Sequence, residues 1–332
     1  MNTTDQPRLA KWLSTPVARA LLALLLMIII GCLFNADGSF FRWSVHRDML
    51  RQVSVFGILA CGMTVVIITA GIDLSVSSVL ALGAVFFAWF TLPLGWPAVY
   101  AIPAVLAIGL GLGSVSGFLV ARMRIQPFIV TLAMMVFARG FAKVVSGGQK
   151  VTNYVMQPDG SAELIEHSPI FSLIDSRILG GNISVVTIIF AVCVFVTWVV
   201  LARLRLGRHI YAVGSNEEAA RLSGVPVRRT LISAYAISGL LAAVAGICQA
   251  AQETQGDPET GSAYELDAIA MVVIGGTTLA GGKGSVVLTL IGVLTIGYLQ
   301  KILSLNAAPE ATRLMLTGAI IVCAVMFQKG KR

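Results

Sequence analysis

Charge is what this sequence has least of. Only 12% of its 332 residues are Asp, Glu, Lys or Arg, against roughly a quarter in a soluble domain. So few charges cannot cover a water-facing surface, which excludes an ordinary soluble globular protein. Histidine is nearly missing too: His46, His167 and His209 are scattered and form no ligand set. The five cysteines are Cys32, Cys61, Cys193, Cys248 and Cys323. All lie within or at the edge of apolar runs, and no pair has metal-ligand spacing, so they read as small buried residues in helices. No nucleophile is paired with a base. Neither a metal site nor a catalytic set is expected. The formal net charge of +8 does not indicate nucleic acid, because the basic residues sit in short segments between apolar runs, where they report orientation in a membrane.

What fills the chain instead is apolar: 57% of residues are hydrophobic and the mean hydropathy is +0.86. Apolar runs fall at about 18–34, 51–70, 74–92, 97–121, 126–145, 183–202, 230–250, 266–282, 285–303 and 310–327. Most have the ~17–25 residues that a spanning helix needs. Backbone groups in lipid must pair within their own segment, so these are helices. A lipid-facing barrel would alternate apolar and polar residues, which these runs do not. The expected fold is therefore an all-α polytopic membrane protein. It should have about ten transmembrane helices with broken or re-entrant elements, forming one domain over 1–332. The run that begins at Ala20 follows Arg8, Lys11 and Arg19 and contains Ile29-Ile30-Gly31-Cys32, a pattern like a cleaved lipoprotein signal. Further spans follow at once, so an uncleaved first span is expected.

Basic segments set the orientation. Arg8, Lys11 and Arg19 put the tail 1–17 inside. On the same side, with ten spans, fall Arg122 and Arg124, then Arg203, Arg205, Arg208, Arg221, Arg228 and Arg229 in the loop 203–229. Lys283, Lys329, Lys331 and Arg332 join them. Segment 251–267 on the other side holds Glu253, Asp257, Glu259, Glu265 and Asp267 with no Lys or Arg. The long outer loop 146–182 holds Asp159, Glu163, Glu166 and Asp175 against Lys150 and Arg177. Arg42 and Arg47 in 35–50 are exceptions to the pattern. Both termini inside is the arrangement that fits best. Small residues recur every fourth position in two spans, as Gly109, Gly113, Gly117 and as Ser238, Ala242, Gly246. They permit close backbone approach to a partner inside or outside the chain.

Three constellations interrupt the apolar runs. The first is Thr69-Ala70-Gly71-Ile72-Asp73-Leu74-Ser75. Gly71 would supply backbone freedom for a tight turn, and Asp73 or Ser75 would cap the next helix. Alternatively, a carboxylate at or within the membrane marks a pathway or gate. The second runs from Tyr264 through Asp267, Val273-Ile274-Gly275-Gly276 and Gly281-Gly282-Lys283-Gly284. Its apolar helix is only half a membrane long, and the glycines make a continuous helix unfavourable. Interrupted helices line transporter pathways; glycine-mediated packing is the other reading. Val65-Val66-Ile67 and Ser78-Val79 match Val272-Val273-Ile274 and Ser285-Val286 at one offset, a weak internal repeat.

The third constellation lies in the basic loop. Ser215-Asn216-Glu217-Glu218 reads as a capping box with Ser215 as N-cap and Glu218 three residues on. Glu217 and Glu218 suit the positive end of a helix dipole. Ala219, Ala220, Arg221 and Leu222 continue the helix, Gly224 ends it and Pro226 keeps it from resuming. Such an exposed knob either lies on the bilayer or docks into a partner. Two other motifs are decoys. Ser146-Gly147-Gly148-Gln149 resembles a nucleotide-binding signature but is expected outside. Gly281-Gly282-Lys283-Gly284 lacks phosphate-loop spacing, because Thr277 stands where the first glycine belongs and Gly284 follows the lysine. No nucleotide binding by this chain is expected.

At these residues the chain resembles the permease subunits of bacterial ATP-binding-cassette importers for ribose, xylose, galactose and related sugars. The likeness covers about 50–327. It rests on Gly62-Met63-Thr64, Gly71-Ile72-Asp73-Leu74-Ser75-Val76 and Gln126-Pro127-Phe128-Ile129-Val130-Thr131-Leu132. It continues through Ala212-Val213-Gly214-Ser215-Asn216, Ala219-Ala220-Arg221-Leu222-Ser223-Gly224, Glu265-Leu266-Asp267-Ala268-Ile269-Ala270 and the two glycine pairs. Ser77 departs from the family's usual glycine. The resemblance implies a non-catalytic subunit of the inner membrane that forms a sugar pathway. It would pair with a second permease, identical or homologous. A cytoplasmic ATPase would hold ATP and Mg, and a periplasmic sugar-binding protein would deliver substrate. The coupling helix would be Asn216–Gly224, with Ser215 beside it. The loops 146–182 and 251–265 would receive the binding protein. Asp73, Ser75, Gln126, Asp267, Gly275 and Gly276 are the expected pathway or gate residues. The rival readings are a branched-chain amino-acid importer permease, and a secondary transporter with Asp73 or Asp267 as proton carrier.

Overall fold

Nearly every apolar run becomes a helix. The computed structural model describes residues 15–156, 162–164 and 168–309, and beyond them 311–313, 315, 316, 318, 319 and 322. Most of the tail 1–17, part of the last expected span 310–327, and Asp159, Glu166, His167 and Cys323 lie outside the described residues. Seven helices are long and apolar enough to cross a membrane. They are α1 (Pro16–Leu33), α2 (Trp43–Ile68), α4 (Ala98–Met123), α5 (Pro127–Ser146), α7 (Val185–Ala202), α10 (Val227–Glu253) and α12 (Val286–Leu305). Between them stand α3 (Val76–Thr91), α6 (Pro169–Asp175), α8 (Arg205–Ser215), α9 (Glu217–Leu222) and α11 (Tyr264–Ile274). Sheet among the described residues is limited to two small antiparallel hairpins. One is β1 (Tyr154–Met156) with β2 (Ala162–Leu164), and the other is β3 (Arg177–Ile178) with β4 (Ile183–Ser184). The fold is helical and multi-span, as the run lengths require.

Two helices form the centre. Most of α2 and α10 is buried, and α3 lies almost wholly inside. The small-residue stripe of α4 finds its partner within the chain. A side chain on Gly109, Gly113 or Gly117 would run into the backbone of α10 at Gly239, Tyr235 or Ile232. Across the same helix, Gly246 lies on the backbone of α3 at Leu80, and Ser238 lies on Gly62 of α2. These close approaches replace hydrophobic driving force, which is weak between helices in lipid, with backbone packing. The rim is apolar and outward-facing: Leu25 and Leu26 of α1, Val136 and Phe137 of α5, and Val192 and Phe195 of α7 are all exposed. In lipid this is the expected surface.

Contacts sort the connections onto two ends. At one end Gly276 lies against Pro16, and the carbonyl of Ile68 accepts from the Gly282 N–H at 2.9 Å. One cavity of 1020 Å³ there is lined by Ala70, Arg124, Gln126, Ser215 and Arg228. This is the basic end. At the opposite end Asn306 donates to the carbonyl of Phe34 at 3.0 Å, and Val151 bridges Gly256.

The acidic loops of that opposite end are tied down. Lys150 pairs with Asp257 at 3.1 Å and Lys143 with Glu259 at 2.6 Å. Arg51 pairs with Asp175, and Arg177 with Asp48 at 2.7 Å. Arg139 donates to the carbonyls of Pro258 and Thr260 at 2.6 and 2.8 Å. Phe171 of α6 is buried against Phe87, with ring centroids 5.1 Å apart. Loops 146–182 and 251–265 are therefore strapped together as a cap, in which Asp175, Asp257 and Glu259 are matched by neighbouring bases and Glu253 accepts from Gln249 and Thr260.

Candidate functional site

The helix breaks sit at the basic end, and their residues explain them. α2 stops at Ile68, and the left-handed residue that turns the chain is Ala70, with φ 64°, not Gly71. Gly71 is required for a different reason: a side chain there would collide with the Tyr235 hydroxyl. Asp73 then folds back. Its Oδ1 accepts from the Ser75 N–H at 3.0 Å and the Ser75 hydroxyl at 2.6 Å, and its Oδ2 accepts from Ser238 of α10 at 2.7 Å. Asp73 is only 1% exposed. Ser75 stands at the N-cap of α3 but makes no capping bond, because its hydroxyl is spent on Asp73. The carboxylate clamps the α2–α3 turn to α10, a link 165 residues long in sequence.

The second break follows α11. That helix has 11 residues, about 16 Å at 1.5 Å per residue, and so covers half a membrane. Gly275 closes it against Leu288 and Thr289 of α12. Gly276 follows with φ 92°, a conformation that L side chains resist. The chain then runs without helix to Ser285, and a turn closes between Thr278 and Lys283. The expected interruption of the run 266–282 is present. The two ends that matched in sequence are both helix C-termini followed by a break, and beside the first of them Thr64 shares a buried hydrogen bond of 2.8 Å with Thr289 of α12.

Loop 203–229 holds two helices where one was expected. In α8, Gly207, Ile210, Val213 and Gly214 are buried on one face. The capping-box reading of Ser215 is corrected. Ser215 is the last residue of α8 and its hydroxyl donates back to the Tyr211 carbonyl at 2.8 Å. The N-cap of α9 is Asn216, whose Oδ1 accepts from the Ala219 N–H at 2.9 Å. Glu218 pairs with Arg221 at 2.6 Å instead of reaching back to the cap. Glu217 and Glu218 do occupy the first turn, where the dipole favours them. At the other end Gly224 has φ 80°. The Gly224 N–H donates to Arg221 and the Val225 N–H to Ala220, both at 3.0 Å, which is a Schellman closure. Ala219 lies on the exposed side and Ala220 is buried. Leu222, within the expected coupling helix, is 80% exposed at the tip of this helix. The sequence placed this leucine in the helix, two residues before its glycine stop, without marking it as an exposed apolar tip.

The expected pathway residues do not form one cluster. Asp73, Ser75 and Gln126 are at the basic end, Gln126 exposed on the wall of the 1020 Å³ cavity. Gly275 and Gly276 are at the second break. Asp267 is at the opposite end, in a 440 Å³ groove with Gln52, Tyr264 and Lys301, its Oδ1 3.5 Å from the Gln300 amide. No group of three potential metal ligands occurs among the described residues.

A bundle of apolar helices with two breaks and a capped knob at its basic end is an integral membrane protein of the helical, multi-span class. Residues 47–325 match the family model described as branched-chain amino acid transport system / permease component, and the chain belongs to that family. It is 40% identical over 310 residues to the ribose import permease protein RbsC of Escherichia coli strain K12, covering 92% of each chain. It is 35% identical over 319 residues to the fructose import permease protein FrcC of Rhizobium meliloti, covering 94% of this chain and 85% of that one. It is 32% identical over 356 residues to the xylose transport system permease protein XylH of Escherichia coli strain K12, covering 92% and 90%. No solved structure matches the chain.

Proposed function

We propose that this chain is the permease subunit of an ATP-driven importer that carries a monosaccharide across a bacterial inner membrane. The observation that carries the reading is the capped helix α9 with Leu222 exposed at its tip, on a chain whose relatives are named as sugar import permeases. An apolar side chain held out in water by a helix too short to persist alone is suited to a partner's groove. The partner is a cytoplasmic ATP-binding-cassette ATPase, which holds the ATP and Mg. A second permease, identical or homologous, completes the pathway, and a periplasmic sugar-binding protein docks on the cap formed by 146–182 and 251–265. The pathway or gate includes Asp73, Ser75, Gln126, Asp267, Gly275 and Gly276. The family description names branched-chain amino acids, whereas the relatives quoted above are named for sugars, which favours the monosaccharide. The test is uptake by the reconstituted complex. ATP-dependent uptake of a labelled pentose or hexose is expected; uptake of leucine instead, or uptake driven by a proton gradient without ATP, would overturn the reading.

In this reading the basic end is cytoplasmic, ten spans cross the membrane and both termini are inside. Cysteine placed at Glu218 is expected to react with an impermeant reagent only from the cytoplasm, and cysteine at Ser262 only from the periplasm. The reverse pattern at either position sinks the topology.

The purified subunit alone is expected neither to bind nor to hydrolyse ATP. The Gly281–Gly284 backbone packs on α8 and the end of α2, and its spacing is not that of a phosphate loop. Stoichiometric binding of a fluorescent ATP analogue by the subunit without its ATPase contradicts this.

A further inference from the structure

Three segments meet at the basic end with their backbones in close approach, most tightly at Ile68, Gly214 and Gly282. The end of α2 contributes Ile68 and Ala70. The end of α8 contributes Gly214 and Ser215, immediately before the coupling helix. The loop between α11 and α12 contributes Gly281, Gly282 and Gly284. The Gly282 N–H donates to the Ile68 carbonyl at 2.9 Å. The Tyr211 hydroxyl of α8 donates to the Gly284 carbonyl at 2.9 Å. A side chain on Gly214 would collide with the Ile68 carbonyl and the Gly282 nitrogen. One on Gly281 would meet Ala70, and one on Gly282 would meet the Ser215 hydroxyl and, behind it, the Ser215 backbone. Gly281 and Gly282 also have φ of 82° and 70°.

Each segment leads into a different element. The first leads into the Asp73 turn and α3, the second into α9, and the third from the broken helix α11 into α12. Where side chains separate two elements, a displacement is absorbed by rotamer changes. Where backbones touch directly, nothing soft lies between them, and a shift of one must move the other. Both helix breaks thus pack on the root of the coupling helix; one hydrogen bond ties the two breaks to each other and one, from Tyr211, ties the second break to α8.

We propose that these segments form a glycine joint through which movement of α8 and α9 is passed to both broken helices at once, with Tyr211, Gly214 and Gly282 as its positioning residues. The inference rests on the ATP-driven reading above and adds the route by which the ATPase reaches the pathway. It requires that the joint matter for coupling, not for insertion or for holding the ATPase, since Tyr211 and the glycines lie behind the exposed face of α9.

The test uses the whole complex, purified through this chain and reconstituted in proteoliposomes with its binding protein. Tyr211→Phe removes one hydrogen bond without adding volume. Gly282→Ala adds a methyl group where the Ser215 hydroxyl and backbone lie. Gly111→Ala, on α4 with open space around it, controls for added helix preference. The expected result is normal membrane abundance and normal ATPase co-purification for all three. Sugar carried per ATP hydrolysed should fall roughly tenfold in Gly282→Ala and several-fold in Tyr211→Phe, within the range of coupling between sites, and stay at the parental ratio in Gly111→Ala. If Gly282→Ala does not insert, Tyr211→Phe decides. Hydrogen exchange gives a second readout that needs no substrate. Segments 66–73 and 275–285 should change exchange rate together when a non-hydrolysable ATP analogue is added, and cease to do so in Tyr211→Phe. A parental transport ratio in Tyr211→Phe, with the two segments responding independently, reduces the joint to packing. Absence of ATP-driven sugar uptake in the parent complex is a different failure: it overturns the importer reading, and exchange still scores the joint.

Discussion

Replacing Gly224 by valine is expected to release the ATPase from the complex while the permease still reaches the membrane at normal levels. Gly224 holds φ 80°, and the Schellman bonds to Arg221 and Ala220 depend on it. A left-handed residue with a side chain costs about 1–2 kcal/mol, and a β-branched one more. No atom lies within 4 Å of where its Cβ would be, so the damage is conformational and not a clash. That makes the control sharp: Gly224→Asn, which tolerates the left-handed region, should retain most function. With six residues, α9 has no reserve of helix stability to spend. Leu222→Asp tests the other half of the argument. It keeps the helix and removes the apolar tip, and a fully buried leucine contributes about 1.5–3 kcal/mol, or roughly thirtyfold in affinity. Asn216→Ala should cost about 1 kcal/mol through the lost cap, while Ser215→Ala should be nearly silent. The measurement is ATPase co-purified per permease, beside membrane abundance. Full retention by both Gly224→Val and Leu222→Asp would mean that α9 is a solvated connector.

That Asn216 and not Ser215 caps α9 shows where sequence reading stops. Serine and asparagine are equally good caps and stand side by side. The choice is made by α8, which consumes Ser215 as its last residue, and α8 was hidden by two glycines and three basic or histidine residues. Its signal was still there, since Leu206, Ile210 and Val213 recur at helical spacing on one face. The lengths of the spanning runs were legible because lipid admits few alternatives. The start of α2 was placed eight residues late, because Trp43–Leu50 is polar enough to read as loop. Its charges instead face the cap, Asp48 toward Arg177 and, one turn on, Arg51 toward Asp175. The second break was legible as paired glycines. The first was legible as a turn, but not that Ala70 would take the strained position. The small-residue stripes announced close packing without naming the partner, because α4 and α10 are brought together only by the finished bundle.

Asp73→Leu is expected to lower membrane abundance and thermal stability sharply. The carboxylate is almost fully buried and accepts three hydrogen bonds from Ser75 and Ser238. Each buried donor left unpaired costs about 1–3 kcal/mol. The hydroxyl of Ser238 can turn to a carbonyl of its own helix, but the Ser75 N–H has no such freedom, so a net loss of at least about 1–3 kcal/mol is expected. Asp73→Asn separates this structural duty from a part in gating. Its oxygen can still accept both Ser75 donors, and its nitrogen can donate to Ser238, whose hydroxyl accepts as readily as it donates. The variant should therefore insert and melt like the parent. What it loses is charge assistance, which about doubles the strength of such bonds, at the hydrogen bond from Ser238 that fastens the α2–α3 turn to α10. If the turn must release and refasten during transport, a weaker clamp biases that equilibrium. Uptake should then fall several-fold at normal abundance, as it should for Gly276→Leu at the second break, whose φ of 92° excludes leucine without strain. If Asp73→Asn and Gly276→Leu both transport like the parent, neither break gates the pathway, and Asp73 is a clamp that holds the fold and does nothing more.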